Sequence, residues 1–185
     1  MTQPRTTGRP SRRHEILEAS LYIIRNGEQL SMDSAARASG LTKPGLTYHF
    51  PDKESLVTAL LDHVLDGYES GLAELLGDAV DSPRNRARAY VTQAITGSYD
   101  SADLVMMCDP KLMSEMTERW GNRMNSWFAI PDDISDAART RWHAARLMAD
   151  GAWFIAASGM PDSGAQAKGE LLRLALDLIE GESQS

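Results

Sequence analysis

The chain has 185 residues, one cysteine and a formal net charge of −7. This length allows one sizeable core, or a small domain joined to a larger one. No apolar run approaches the ~20 residues that span a bilayer, and no apolar signal segment follows the basic first residues. A single cysteine excludes an intrachain disulfide and is typical of the reducing cytoplasm. We therefore expect a soluble, cytoplasmic protein.

Charge is unevenly distributed along the chain. Residues 1–60 contain eight Lys/Arg and six Asp/Glu, a net +2, whereas residues 61–185 contain eleven and twenty, a net −9. Because affinity for phosphates depends on local charge, this asymmetry favours an N-terminal DNA-binding face. Residues 1–10 have two prolines, a glycine and no apolar periodicity, which predicts a flexible basic arm. Such an arm either reaches phosphates or a minor groove, or is only a disordered terminus.

A predicted first helix, about residues 11–26, is followed by the most informative stretch of the sequence. Ser31 and Thr42 are natural N-caps, and Gly40 allows the positive φ that a sharp turn between two short helices needs. Asp52 caps the next helix. Helix, glycine turn and helix over about residues 32–51 predict a helix-turn-helix, whose second helix enters the DNA major groove.

The run GLTKPGLTYHF at residues 40–50, followed by DKESL, resembles the recognition-helix signature of the tetracycline-repressor (TetR) family of bacterial transcription regulators. The resemblance is specific over about residues 12–60. It implies an all-α fold, with a DNA-binding domain at 11–57 and a larger effector-binding and dimerisation domain at 58–185. The DNA contacts that it implies are Arg12, Ser31, Thr42, Lys43, Pro44, Thr47, Tyr48, His49 and Lys53.

The chemistry of these side chains suits that role. Thr, Tyr and His can donate hydrogen bonds to phosphates or base edges, and the Thr methyl complements a thymine methyl. Lys53 falls at a predicted helix N-terminus, which is itself an anion site. Arg12 also begins a helix, where it either meets a phosphate or is simply solvated. Leu46 and Phe50 are predicted core residues.

The remainder of the sequence is predicted to be helical, with about nine helices in all and no strand-like alternation. A long amphipathic helix from Asp52 to about Gly77 would join the two domains and act as a lever. Further helical segments are predicted at about 83–98, 102–108, 111–128, 135–158 and 165–180.

Methionine and aromatic residues are concentrated in the central helices. Methionine adapts to irregular shapes and aromatic rings offer flat surfaces, so the pattern predicts a cavity for a flat apolar effector, although it is also typical of an ordinary core. Two polar candidates on an otherwise apolar helix would orient a ligand or lie on the surface. The candidate ligand-binding residues are Tyr68, Met106, Met113, Met116, Trp120 and Trp127, with the polar His143 and Asp150.

The last two helices carry an alanine strip and a wide leucine arc. These features predict pairing with the same helices of a second copy in a four-helix interface, which gives a two-fold homodimer. The candidate interface residues are Trp142, Ala145, Ala149, Ala152, Trp153, Ala156, Leu171, Leu174 and Leu178.

Together these patterns predict a homodimeric repressor that binds a near-palindromic operator and is released by a small apolar or aromatic effector. One alternative is a DNA-binding regulator without an effector, and another is a thiol- or metal-responsive regulator that uses Cys108. An enzyme that has kept a helix-turn-helix ranks last. The sequence contains no glycine-rich phosphate loop and no catalytic motif, so we expect no enzymatic activity and no cofactor.

Overall fold

The computed structural model describes residues 11–107, 109–161 and 164–181. These residues form eight α-helices and one 3₁₀ segment, with no strand among them, which confirms the predicted all-α class. The basic arm at 1–10, Cys108 and the side chain of Met106 lie outside the described part of the chain. The helices are α1 (Arg12–Arg25), α2 (Met32–Ala38), α3 (Lys43–His49), α4 (Lys53–Leu76), α5 (Pro83–Thr96), α6 (Met113–Met124), α7 (Asp136–Ala157) and α8 (Gly164–Glu180), with the 3₁₀ segment Ser101–Met107 between α5 and α6.

The helix predicted at 102–108 is the 3₁₀ segment. Leu104 has φ −92° and ψ 22°, which interrupts helical geometry in its middle. At the start of this segment, the Asp103 carboxylate accepts a hydrogen bond from the Asp100 backbone N–H at 2.7 Å. Short 3₁₀ pieces of this kind are common connectors. Eight α-helices and this segment together correspond to the nine helical segments predicted.

Side-chain caps fix where most helices begin. The Thr42 hydroxyl accepts the Gly45 N–H at 3.3 Å, and the Asp52 carboxylate accepts the Ser55 N–H at 2.8 Å. Each cap satisfies a backbone donor that the first turn of a helix leaves without a partner. At the other end of α2, Gly40 has φ +67°, a conformation that an L side chain rarely adopts. The helix-turn-helix boundaries therefore follow local rules.

Two apolar clusters form the interior. The first is built from α1 to α4 and continues beneath the 3₁₀ segment and α6, while the second is formed by α5, α7 and α8. Leu46 and Phe50, predicted as core, are both 0% exposed and attach α3 to this first cluster. Phe128 and Trp142 belong to the second cluster and meet edge to face, with ring centroids 5.6 Å apart. Helix α3 is thus attached to the first cluster through two fully buried side chains.

Helix α4 is the element that both halves of the molecule share. Its 24 residues span about 36 Å. Near its middle, α6 is attached to it by ion pairs: the Arg119 guanidinium binds both Asp62 carboxylate oxygens at 2.7 and 2.8 Å. The Arg123 guanidinium binds Asp66 at 2.7 Å and also Glu69. Helix α4, the predicted connection between the two domains, is therefore uninterrupted, and α6 is held against one side of it by ion pairs.

No helix in the described ranges combines the length and the apolar character that crossing a membrane requires.

Candidate DNA-binding surface and effector cavity

The outer face of α3 is the most exposed part of the helix-turn-helix. Tyr48 is 87% exposed, and its ring meets the His49 ring edge to face at 5.2 Å. Thr47 is also exposed, and its hydroxyl donates to the Lys43 carbonyl oxygen at 2.9 Å. An exposed tyrosine on the second helix of such a motif is free to meet a base edge or a phosphate.

The two lysines predicted to contact DNA are both already engaged with carboxylates. Lys43 Nζ lies 3.1 Å from an Asp33 oxygen, and both side chains are largely exposed. Lys53 Nζ lies 2.6 Å from Asp109 Oδ2, and this pair is more enclosed, with exposed fractions of 32% and 15%. The hydrogen bond from Lys53 holds the pKa of Asp109 below its usual range. Lys53 therefore connects the start of α4 to the segment that leads into α6.

Three further residues at the DNA-binding end hold the bundle together. Arg12 donates to Glu15 and to the Ser39 carbonyl oxygen, each at 2.7 Å. Arg13 donates to the His49 carbonyl oxygen at 3.0 Å and lies over the Phe50 ring at 4.2 Å.

The Ser31 hydroxyl caps α2 by accepting the Ser34 N–H at 3.0 Å. Arg12 and Ser31 thus have internal partners, and a DNA contact by either remains a prediction. The role of Arg13, which joins α1 to the end of α3, was not visible in the sequence.

A cavity of about 210 Å³ lies between α4, α5, α6 and α7. Its walls are mainly aromatic, and besides the tyrosine hydroxyls and indole N–H groups they carry one amide, one guanidinium and one carboxylate. The lining residues are Tyr68, Leu72, Tyr90, Gln93, Ala94, Tyr99, Trp120, Met124, Arg146, Asp150 and Trp153.

The aromatic side of the cavity is a connected set of rings. Tyr68 and Tyr99 stack in parallel with centroids 5.7 Å apart, and Tyr68 meets Trp120 edge to face at 5.1 Å. Trp120 and Trp153 approach at 5.1 Å. The indole N–H of Trp153 donates to the Tyr68 hydroxyl, which donates to Asp103 Oδ1 at 3.2 Å. The ring set is therefore held by hydrogen bonds that reach the 3₁₀ segment.

The opposite side of the cavity is polar. The Tyr90 hydroxyl donates to Asp150 Oδ1 at 2.6 Å, and Arg146 Nε lies 3.4 Å from Asp150 Oδ2. Gln93 donates through Nε2 to the Tyr68 carbonyl oxygen at 3.1 Å, whereas its buried Oε1 has no hydrogen-bond partner. A buried acceptor without a donor is costly, and this oxygen lies against Gly71 of α4.

Burial raises the pKa of the three cavity tyrosines far above the usual range of a phenol. Tyr68 and Tyr99 also face the negative charge of Asp103, and Tyr90 faces Asp150. Burial likewise raises the pKa of Asp103. The phenols therefore remain protonated hydrogen-bond donors at neutral pH.

The structure brings together only some of the predicted ligand residues. Tyr68, Trp120 and Asp150 line the cavity. Met116 is fully buried in the first cluster, and Trp127 is half-buried against that cluster. Met113 and His143 are exposed, and neither lines the cavity.

The predicted interface residues also divide. Trp142, Ala145 and Ala149 are buried inside the chain, and Trp153 lines the cavity. Ala152, Ala156, Leu171 and Leu178 are half-buried, and Leu174 is 50% exposed. The inward-facing residues are not available to a second copy, because one face of α7 packs into the chain's own interior while another face is exposed.

Two polar lining residues, Gln93 and Arg146, were not predicted from the sequence. Arg146 precedes Asp150 by four residues, so the two share one face of α7 and form an i, i+4 ion pair. That spacing was a usable signal. Gln93 carried none, because a glutamine on a helix gives no indication of which neighbour it faces.

No protein-family model matches the sequence. The chain is 27% identical over 152 residues to the HTH-type transcriptional regulator EthR of Mycobacterium tuberculosis, which covers 78% of this chain and 70% of EthR. It is 31% identical over 100 residues to the HTH-type transcriptional repressor KstR2 of Rhodococcus jostii, covering 53% of this chain and 47% of KstR2.

Among solved structures, the chain is similar to a TetR-family transcriptional regulator from a Rhodococcus species. The TM-score is 0.66 at 19% identity, and the match covers 92% of this chain and 99% of that one. This likeness shows a shared fold. EthR and KstR2, the two relatives matched in sequence, are both HTH-type transcription regulators. These similarities in sequence and fold support membership of the TetR family of transcriptional regulators.

Proposed function

We propose that the chain is a cytoplasmic, homodimeric transcriptional repressor that binds a near-palindromic operator and leaves it when a small aromatic effector enters the cavity. The single observation that carries this proposal is the position of α4. Its first residue, Lys53, lies at the DNA-binding end, and Tyr68 and Leu72 on the same helix form part of the cavity wall. A ligand that moves this wall also moves the base of the helix-turn-helix.

A second connection runs in parallel through the 3₁₀ segment. Tyr68 in the cavity donates to Asp103 in that segment. A few residues later, Asp109 holds the Lys53 side chain. A ligand that displaces Tyr68 would therefore shift this segment, and with it the balance of Lys53 between Asp109 and a DNA phosphate. A ligand shifts such an equilibrium only as far as it binds the two states differently.

The cavity supports a particular kind of effector. Its volume of about 210 Å³ is below the ~300–1,000 Å³ typical of sites for drug-sized ligands. Stacked and edge-to-face rings favour a flat aromatic body, and the Asp150 carboxylate favours a hydrogen-bond donor on it. We therefore propose a small aromatic molecule with an N–H or O–H group. The repressor activity of KstR2 supports repression as the outcome.

The outer faces of α7 and α8 support a dimer. Leu147 is 72% exposed, and Phe154 and Ile155 are 38% and 39% exposed on α7. Leu174 on α8 is 50% exposed. Contiguous apolar side chains on adjacent helices are typical of an interaction surface. Pairing across a two-fold axis would present two α3 helices to successive major grooves, about 34–36 Å apart.

The proposed DNA contacts can be tested by fluorescence anisotropy with an operator selected from genomic DNA. We expect Tyr48→Ala to weaken operator binding roughly tenfold, because it removes a contact worth about 1 kcal/mol or more. Lys53→Ala should weaken binding to all sequences and reduce the salt slope by about one. Tyr22→Ala, which removes another exposed tyrosine on α1, is the matched control and should bind normally. Unchanged affinity in both test variants would disprove this DNA-binding face.

The rival function, a DNA-binding regulator without an effector, makes a different prediction. Thermal-shift screening of small aromatic compounds should find one that stabilises the protein by ~2.7 kcal/mol at 100 times its Kd. The same compound should lower operator affinity. A compound that binds the cavity but leaves operator affinity unchanged would favour the rival.

A further inference from the structure

Three side chains with metal-binding atoms converge where α1 meets α4. His14 and Glu18 lie on successive turns of α1, His63 lies on α4, and one ligand atom from each lies within 4.8 Å of the others. His63 Nε2 is 2.6 Å from Glu18 Oε1. The rings of His14 and His63 meet edge to face, with centroids 4.9 Å apart. None of the three residues lines the cavity.

We propose that His14, Glu18 and His63 form a binding site for a divalent transition-metal ion, with Zn²⁺ as the best match. Two imidazole nitrogens and one carboxylate are a ligand set that Zn²⁺ accepts, with water in the fourth position. Ca²⁺ and Mg²⁺ prefer sets made of oxygen atoms, and this cluster offers one carboxylate only. The donor set therefore selects a metal that accepts imidazole.

The helical spacing favours this geometry. Residues 14 and 18 are four positions apart, so both side chains project from the same face of α1 toward α4. Metal–ligand bonds of about 2.1 Å place the ligand atoms of a tetrahedral site about 3.4 Å apart. The three atoms already lie within 4.8 Å of one another, so displacements of about 1 Å would bring them to that spacing. The cation would replace the direct contact between Glu18 and His63.

The proposed metal site is open to solvent, and the neighbouring charges determine its affinity for a cation. The Glu18 and His63 side chains are 47% and 23% exposed, so an ion can enter without unfolding. Arg25 Nη1 lies 4.0 Å from Glu18 Oε2, and the same guanidinium binds Asp100 at 2.9 Å. Glu18 therefore keeps one oxygen toward Arg25 while the other faces His63. The nearby positive charge lowers the affinity for a cation, so we expect binding in the micromolar range.

The site would fix α1 against α4. Helix α1 belongs to the DNA-binding bundle, and α4 continues to the cavity, so a metal ion between them resists a change in the angle of the lever. This consequence rests on the proposed function. Metal binding does not rest on the proposed function and is measured without DNA. A failure of the metal proposal can therefore be distinguished from a failure of the proposed function.

Isothermal titration of the full chain with ZnCl₂ at near-neutral pH tests the proposal, using protein that carries no affinity tag and was dialysed against a chelator. We expect one Zn²⁺ per chain. His14→Gln, His63→Gln and Glu18→Gln should each weaken binding at least about tenfold. Co²⁺ should give the visible absorption of a four- or five-coordinate ion in the wild type and not in His63→Gln.

Two variants serve as controls. His143→Gln removes an exposed histidine on α7, and Cys108→Ser removes the thiol; both should bind Zn²⁺ as the wild type does. Circular dichroism and urea denaturation verify that each variant is folded. The absence of binding at 100 µM Zn²⁺, an unchanged Kd in folded His63→Gln, or loss of binding in Cys108→Ser would each overturn the proposal.

Discussion

Gly71 is a residue of α4 that lies directly against the Gln93 side chain of α5. A Cβ there would be 2.7 Å from Gln93 Oε1, whereas a Cβ at Gly67, one turn earlier, would have no atom within 4 Å. The absent side chain therefore lets the Gln93 amide lie against α4 and reach the Tyr68 carbonyl oxygen. Gly71 thus serves the close approach of a side chain, and Gly67 does not.

This difference predicts opposite behaviour for two matched substitutions. Gly67→Ala should raise the free energy of unfolding by about 0.5–1 kcal/mol, because alanine loses less backbone entropy in a helix. Gly71→Ala should gain less or be destabilising, because the Gln93 side chain must move. Urea denaturation of both variants measures the difference. Equal stabilisation by the two would show that the Gln93 contact is unimportant.

The buried tyrosines predict how stability depends on pH. A tyrosine in the unfolded chain ionises near pH 10, whereas burial raises the pKa of Tyr68, Tyr90 and Tyr99 in the folded protein. Above that pH the folded state binds more protons than the unfolded state. Their contribution to stability is thus complete below pH 10 and is lost as the pH rises further.

Urea denaturation at increasing alkaline pH checks this expectation. Tyr90→Phe should make the decline shallower by up to about 1.4 kcal/mol per pH unit, the value for one proton. Tyr22→Phe on the exposed face of α1 is the control. An identical slope in Tyr90→Phe and the wild type would contradict the assigned cause.

At the scale of elements, the Lys53–Asp109 ion pair joins the start of α4 to the segment before α6. The same lysine is proposed to meet a DNA phosphate, so Asp109 competes with DNA for it. We expect Asp109→Asn to raise operator affinity several-fold at low salt and to reduce the response to effector. Fluorescence anisotropy measures both effects.

The double variant Asp109→Asn, Lys53→Ala completes the cycle. If competition for the lysine is the cause, the asparagine substitution should have no effect on operator affinity once Lys53 is absent. Asp133→Asn, which also removes one negative charge and lies in the loop before α7, controls for the change in net charge. An equal gain from that control would assign the effect to general charge.

Elements were largely predictable because their boundaries are local. Ser31, Thr42 and Asp52 cap helices in the structure as their sequence positions predict. Contacts between distant residues were less predictable. Arg13 reaches His49 and His14 reaches His63, and no periodicity within α1 indicates which partner each side chain meets.

At the scale of the whole molecule, the proposed dimer can be separated from the fold. Leu174→Glu places a charge on the exposed face of α8 and should shift the protein to a monomer at micromolar concentration, as measured by light scattering. Val80→Glu introduces the same charge at a residue that is 78% exposed between α4 and α5. It should remain dimeric. A monomeric wild type would remove the proposed operator geometry.

The assignment of α7 shows the limit of sequence interpretation at this scale. Its alanines and tryptophans predicted one interface, but the residues of this helix lie in three surroundings: the core, the cavity wall and the exposed surface. Trp142 packs on Phe128, and Trp153 joins the cavity rings. Residue type alone could not divide them, because a large aromatic residue suits all three surroundings.

The shared helix α4 also limits how the molecule can be divided. The first apolar cluster does not stop at residue 57, since Leu60, Leu61 and Leu65 are each 0% exposed within it. A fragment or fusion that ends at residue 57 would lose these three leucines and expose the surface they cover. A fusion of this DNA-binding domain to another ligand-binding domain would therefore require a junction within α4, beyond Leu65. The new domain would have to continue α4 as one uninterrupted helix with its apolar face in the same orientation.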